Sequence, residues 1–220
     1  MCKFTRTANA GGLLELDGRS ILLDGICDGA GPYLPTPPGM LDALLERKPD
    51  LMVVTHAHPD HLAPDAAVEC LFAWGGIPVL GTRDVARILS PWPVAVGEAA
   101  AAGPVGVAPI PSRHIGAARR EVEHVSFLLK GSRRCFFLGD AAPLQWKGWT
   151  EPLDVLFAPF AYAATNAGWR VVEELSPQRL VLLHMPARDY DPGRLWNMEG
   201  LSHRRGIPVT IPEMGETVDF

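Results

Sequence analysis

Short apolar runs broken by glycine, proline and aspartate set the rhythm of this chain. In "GGLLELDGRSILLDG", residues 11–25, two such runs flank Asp17-Gly18, a pair that accepts the positive φ angles of a tight turn, so a hairpin of two strands is expected. The Pro/Gly-rich stretch "DGAGPYLPTPPG" then reads as a loop. Thr36 and Pro37 supply an N-cap and a first-turn proline for a helix to about Arg47, with Met40, Leu41, Leu44 and Leu45 at helical spacing. "LMVV" is a continuous apolar run of the kind found in a strand buried on both faces. "PDAAVECLFAWG" predicts a helix with Pro64 in its first turn and Gly75-Gly76 at its end, "IPVL" a strand, and "TRDVARIL" a helix capped by Thr82. Further on, "VAPIPSR" is a strand, "HVSFLLKGSRRCFFLGD" a second hairpin, and "DVLFAP" another strand. "GWRVVEEL", "RLVLLH" and "DPGRLWNMEGLSHRRG" read as helix, strand and helix.

The polar residues that stand out all follow strands. Asp24 comes after "ILL", His56 after "MVVT", His114 after "VAPIPSR", Asp140 after "CFFLG" and His184 after "LVLL". In layered α/β proteins ligands gather beyond strand ends, where loops aim side chains inward.

Composition narrows the class. The 220 residues are 47% apolar and 20% charged, ordinary for a globular chain. With no fixed-period repeat, low-complexity linker or internal boundary, residues 1–220 are expected to form a single domain. A net charge of −5, with basic residues only in pairs such as Arg119–Arg120, Arg133–Arg134 and Arg204–Arg205, makes nucleic acid an unexpected partner. The four cysteines, Cys2, Cys27, Cys70 and Cys135, form no C-x-x-C. The opening "MCKFTRTANAGG" lacks a signal-peptide core and no segment suits a bilayer, so a cytoplasmic protein is expected. A homo-oligomer stays open.

The chemistry concentrates in "THAHPDH". Three of the seven histidines and an aspartate fall within six positions, a pattern that chance would produce in about 4 of 10,000 such chains. His56 and His58, two apart on extended chain, can turn their rings to one side, and neutral imidazoles suit zinc or iron. Pro59 fixes its own φ and helps to turn the chain, so that Asp60 and His61 can point to a second ion. Completing two sites needs distant ligands, and His114, Asp140 and His184 are available. Asp140 is the natural bridge, because a carboxylate has two oxygens to share.

With these residues in place, the chain resembles the metallo-β-lactamase-fold hydrolases. "THAHPDH", "SRHIG", "FFLGD", "VLLHMP" and the early "ILLDG" carry the match, in the family's order and across most of the chain. The resemblance implies an α/β (α+β) fold, a four-layer αββα sandwich. It also implies His56, His58 and His114 on the first metal, Asp60, His61 and His184 on the second, Asp140 bridging, and Asp24 orienting a metal-bound histidine. Two departures matter: secreted β-lactamases of this fold carry a signal peptide and usually a cysteine in the fourth motif, where this chain has Asp140. The opening is more similar to small cytosolic members, including a lactonase-like branch.

The expected cofactor is two divalent ions, zinc first, with manganese or iron as alternatives. Ions roughly 3.5–4 Å apart can share a water and generate hydroxide near neutral pH, giving a binuclear hydrolase of an ester, lactone or phosphoester in a small metabolite. Asp60 and Asp140 would be its catalytic carboxylates, Asp60 orienting the hydroxide. Tyr162 is a candidate donor to a substrate oxygen, in competition with simple packing on its loop. Arg113 could meet an anionic substrate or point away, and "PLQWKGWT" could wall the pocket. His124, inside a strand, reads as structural, and His203 as a surface residue. The competing functions are a phosphodiesterase or nuclease, a mononuclear iron enzyme like the sulfur dioxygenases, and a binding module without turnover.

Overall fold

The computed structural model describes residues 2–116, 121–146, 148–191, 194–197 and 206–220. His203, the pairs Arg119–Arg120 and Arg204–Arg205, and most of the helix expected over 191–206 lie outside them.

Two seven-stranded mixed sheets face each other. The Asp17-Gly18 hairpin forms as expected: both residues have positive φ, and β2 (Gly12–Leu16) pairs antiparallel with β3 (Arg19–Leu23). Next to β3, in parallel, come β4 (Leu51–Val53), β5 (Val79–Gly81) and β6 (Ala95–Val96). The sequence pattern had not marked the other edge, where β1 (Cys2–Arg6) pairs with β2 and the short β14 (Thr217–Asp219) pairs with β1. In the second sheet, β7 (Ala100–Ala102), β8 (Val105–Arg113), β9 (Glu123–Lys130) and β10 (Arg134–Phe137) run antiparallel to one another. β11 (Val155–Pro159), β12 (Arg179–Leu183) and β13 (Val209–Thr210) then continue in parallel.

Alternation along the strands makes the layers. Leu14, Leu16, Ile21 and Leu23 point between the sheets to meet Phe127, Leu129, Phe137 and Phe157. The neighbours Leu13 and Leu22 point outward, under helices α1 (Pro38–Glu46), α2 (Pro64–Ala73) and α3 (Arg83–Ile88). On the far side Leu128, Phe136, Leu156 and Leu180 pack beneath α4 (Asn166–Leu175) through Trp169, Val172 and Leu175. Helices outside and two sheets inside give the αββα sandwich. Each Leu or Phe so buried contributes about 1.5–3 kcal/mol.

One cap differs from expectation. Thr36 does not cap α1, which starts at Pro38 with Pro37 as an N-cap that makes no side-chain bond. The Thr36 hydroxyl instead accepts from the Cys27 N–H at 2.9 Å, closing the preceding loop. Thr82 does cap α3, accepting from Val85 N. Among the described residues no helix is long and apolar enough to cross a membrane.

Candidate metal centre

The parallel strands bring the marked residues to one end of the sandwich. Asp24 leaves β3, the 55–61 segment leaves β4, His114 leaves β8, Asp140 leaves β10 by way of Leu138 and Gly139, and His184 leaves β12. Backbone bonds stitch these ends together: Val125 N donates to Thr55 O at 3.0 Å, and His184 N donates to Asn9 O at 3.0 Å. Gly139 sits at φ 55°, and a Cβ there would lie 2.7 Å from the Thr55 side chain, so only glycine lets the Asp140 loop close on the first sheet. Asp24 and His184 also hold positive φ, at 41° and 57°, a costly backbone for residues with a side chain.

All seven expected ligands converge. Donor atoms within 4.8 Å of one another group as His56, His58 and His114, as Asp60, His61 and His184, and as His56, His61 and Asp140. Asp140 stands between the first two groups: its Oδ1 is 3.5 Å from His61 Nε2, and its Oδ2 is 3.4 Å from His114 Nε2 and 3.5 Å from His184 Nε2. These gaps are long for charge-assisted hydrogen bonds. They match the edges of a ligand tetrahedron, about 3.3 Å when metal–nitrogen bonds are about 2.0–2.1 Å.

The partners of the rings fix which nitrogen is free. Asp24, fully buried, accepts from Thr55 N at 2.8 Å, from the Thr55 hydroxyl at 2.5 Å and from His61 Nδ1 at 2.8 Å. Because the Thr55 hydroxyl donates to Asp24, its oxygen accepts from His56 Nδ1 at 3.0 Å. His114 Nδ1 donates to Ile115 O at 2.7 Å. In the neutral form of all three rings the proton therefore sits on Nδ1 and the lone pair on Nε2, the form a metal ligand takes. The Nε2 atoms of His61 and His114 are buried and have no hydrogen-bond partner, an arrangement that costs about 1–3 kcal/mol per group unless a cation fills it. The donor set therefore fits divalent metal ions.

Charge agrees. Burial opposes a charge on His61, but Asp140 and Asp24 outweigh it and hold the imidazole well above its ordinary value. Burial likewise opposes ionising Asp140, yet the His184 and His61 imidazoles keep it well below the usual carboxylate range. His56, with histidines around it, is pushed well below the ordinary value, mainly by burial. The site draws positive charge to Nε2 of His61, where a metal and a proton compete.

A cavity of about 540 Å³ opens onto these groups, lined by His58, Asp60, His114, Asp140 and His184 on one side and by Tyr33, Pro159 and Phe160 among others. Tyr162, a candidate substrate contact with packing as the alternative, is not among the lining residues. It is fully buried, its hydroxyl donates to Ala141 O and accepts from Trp146 Nε1, both at 2.9 Å, and it props the Asp140 loop from beneath. Trp146 and Trp149 pack on Phe136 and border a separate hollow of about 300 Å³, so they do not wall the metal cavity. Arg113 is exposed and outside the cavity lining, its N–H held by Gln145 Oε1 at 2.7 Å.

His124 is structural, as its place in a strand suggested, but at a position that serves the site. Its Nε2 accepts from the Asp140 N–H at 3.0 Å, so its Nδ1–H donates to Ser112 Oγ at 2.7 Å. Ser112 passes the chain to Ser126, whose hydroxyl donates to Leu138 O. Burial pushes His124 down to about 3, which keeps it neutral for this task. No spacing in the sequence marks this relay, because it depends on β8–β9 register.

A family model for the beta-lactamase superfamily domain matches residues 19–185, from β3 through His184. The chain belongs to the beta-lactamase superfamily. No curated protein matches the chain in sequence. Solved structures with this superfamily fold resemble it over its whole length. Igni18, a metallo hydrolase from the archaeon Ignicoccus hospitalis, is 21% identical with a TM-score of 0.72, covering 100% of this chain and 98% of its own. An isothiocyanate hydrolase from Delia radicum gut bacteria is 18% identical with a TM-score of 0.70, covering 99% of each chain. CmlA, a diiron β-hydroxylase from Streptomyces venezuelae, is 16% identical with a TM-score of 0.72, covering 100% of this chain and 54% of its own. At these identities the likeness concerns the fold, and a fold does not name a reaction.

Proposed function

We propose that this superfamily member is a binuclear metal-dependent hydrolase acting on an ester, lactone or phosphoester of a small molecule. The observation that carries the proposal is the pair of buried, unpartnered Nε2 atoms of His61 and His114, one in each donor triad, with Asp140 between them. His56, His58 and His114 would hold one ion, Asp60, His61 and His184 the other, and Asp140 would face both. Bound there, divalent cations supply Lewis-acid activation of water and of the scissile centre. Zinc suits the mixed imidazole and carboxylate donors, with manganese and iron as alternatives.

The chain's own residues do the rest. Asp24 and Ile115 O hold the Nδ1–H of His61 and His114, aiming both Nε2 atoms inward. Asp60, on the cavity lining, orients the attacking water, while Pro159, Phe160 and Ala161 keep bulk solvent from one side. The two similar hydrolases support this choice of reaction, and the diiron hydroxylase defines its rival. The test is to strip the protein with chelator, reload it with zinc, manganese or ferrous iron, and assay 4-nitrophenyl esters, lactones and bis(4-nitrophenyl) phosphate. Metal-dependent hydrolysis of at least one class is expected. A fully loaded protein that hydrolyses none, or that takes only iron and consumes oxygen, would contradict the proposal.

A further inference from the structure

The loop over 28–36 contributes Ala30, Gly31 and Tyr33 to the lining of the metal cavity, and it is tied to the histidine segment and to the segment after His184. Asp28 N and Gly29 N donate to Pro59 O at 2.8 and 3.1 Å, on the histidine segment. Ala187 N, three residues past His184, donates to Pro32 O at 3.1 Å. Within the loop, Ala30 and Tyr33 exchange two backbone bonds of 3.1 Å each, and Gly29, at φ 75°, has room for no Cβ because Tyr33 O would lie 2.5 Å away. These ties give Tyr33 a fixed address. Its ring stands edge-on to His184 with centroids 4.1 Å apart, it lines the cavity beside Asp60 and Asp140, and no hydrogen bond holds its hydroxyl among the described residues.

The rest of the lining has a matching chemistry. Ala30, Pro59, Ile115, Pro159, Phe160 and Ala161 are apolar, and among the described lining residues there is no lysine or arginine to receive a phosphate. An uncharged acyl compound needs no such cation, but it does need a donor for the carbonyl oxygen as that oxygen gains charge.

We infer that Tyr33 donates its O–H to the carbonyl oxygen of the substrate, and that the cavity takes a neutral carboxylic ester or lactone with a short apolar body. This rests on the hydrolase proposal and narrows it. Tyr33 takes the part that the sequence suggested for Tyr162, and it does so without transferring its proton.

The test compares wild type with Tyr33→Phe, which keeps the ring contact on His184 and loses only the hydroxyl. Both are loaded with zinc and checked for equal metal content and melting temperature. Two readouts follow. With 4-nitrophenyl butyrate, Y33F should lose about 10–100-fold in kcat with KM changed by less than about 3-fold, and wild type should cleave the butyrate ester faster than bis(4-nitrophenyl) phosphate. Calorimetry with an uncharged aryl trifluoromethyl ketone, which mimics the acyl centre without turnover, should show binding at least about 10-fold weaker in Y33F. Equal ketone affinity in the two proteins, no ketone binding by wild type, or preference for the phosphodiester would overturn the inference. If wild type cleaves neither probe yet binds the ketone in a Tyr33-dependent way, the inference stands and the hydrolase proposal is the one that fails.

Discussion

On the first-sheet wall of the cavity, a buried carboxylate holds the candidate ligands: Asp24 accepts from Thr55 twice and from His61, and through Thr55 it sets His56. On the second-sheet wall a neutral ring does the comparable work, His124 accepting from the Asp140 N–H and passing its own proton to Ser112. The first device carries a negative charge that would strengthen the hold of His61 on a cation. The second carries none and only fixes direction. A wall that supplies Asp140, already charged, needs orientation; a wall of four candidate ligands, three of them histidines, needs a counter-charge.

The largest expected effect breaks the charged side. Asp24→Ala removes the acceptor for three buried donors and should destabilise the fold by about 3–5 kcal/mol in urea unfolding. Asp24→Asn should recover part of that stability while zinc affinity, measured by competition with a chromophoric chelator, still falls about 10–100-fold. His124→Ala sharpens the contrast. It leaves the Asp140 N–H unpaired at a cost of about 1–3 kcal/mol and should weaken zinc binding by only about 10-fold. An affinity loss larger than that of Asp24→Asn would show that charge is not what separates the walls. The smallest effect belongs to Tyr162→Phe, which lies outside the cavity. Loss of its bonds to Ala141 O and Trp146 should lower stability by about 1 kcal/mol, read as a melting shift, with metal content and KM unchanged.

The same two walls explain what the sequence could show. The first wall is written almost contiguously, because one strand end and one proline-containing turn deliver His56, His58, Asp60 and His61 together. The second wall is assembled from three strand ends, so His114, Asp140 and His184 are visible only as polar residues closing apolar runs. The supporting groups follow a different logic. Thr55 and His124 act through register and sheet pairing, which no short-range spacing encodes, and Tyr33 is placed by loop bonds to Pro59 and Ala187 that span the chain. Tyr162 stayed ambiguous for the same reason: its position after a strand allowed either substrate contact or packing, and burial under the Asp140 loop decides for packing. β14 was missed because an edge strand needs only one partner and little apolar signal, and β1, paired on both sides, because Cys2 and Phe4 alone of its five residues carry apolar signal into the core.

The central claim is that seven side chains form two adjoining cation sites. Anomalous difference maps collected at the zinc edge from crystals of the reloaded protein test it most directly. Two peaks are predicted, one among His56, His58 and His114 and the other among Asp60, His61 and His184, with Asp140 touching both. A loaded crystal with a single peak, or with zinc bound elsewhere, would contradict it.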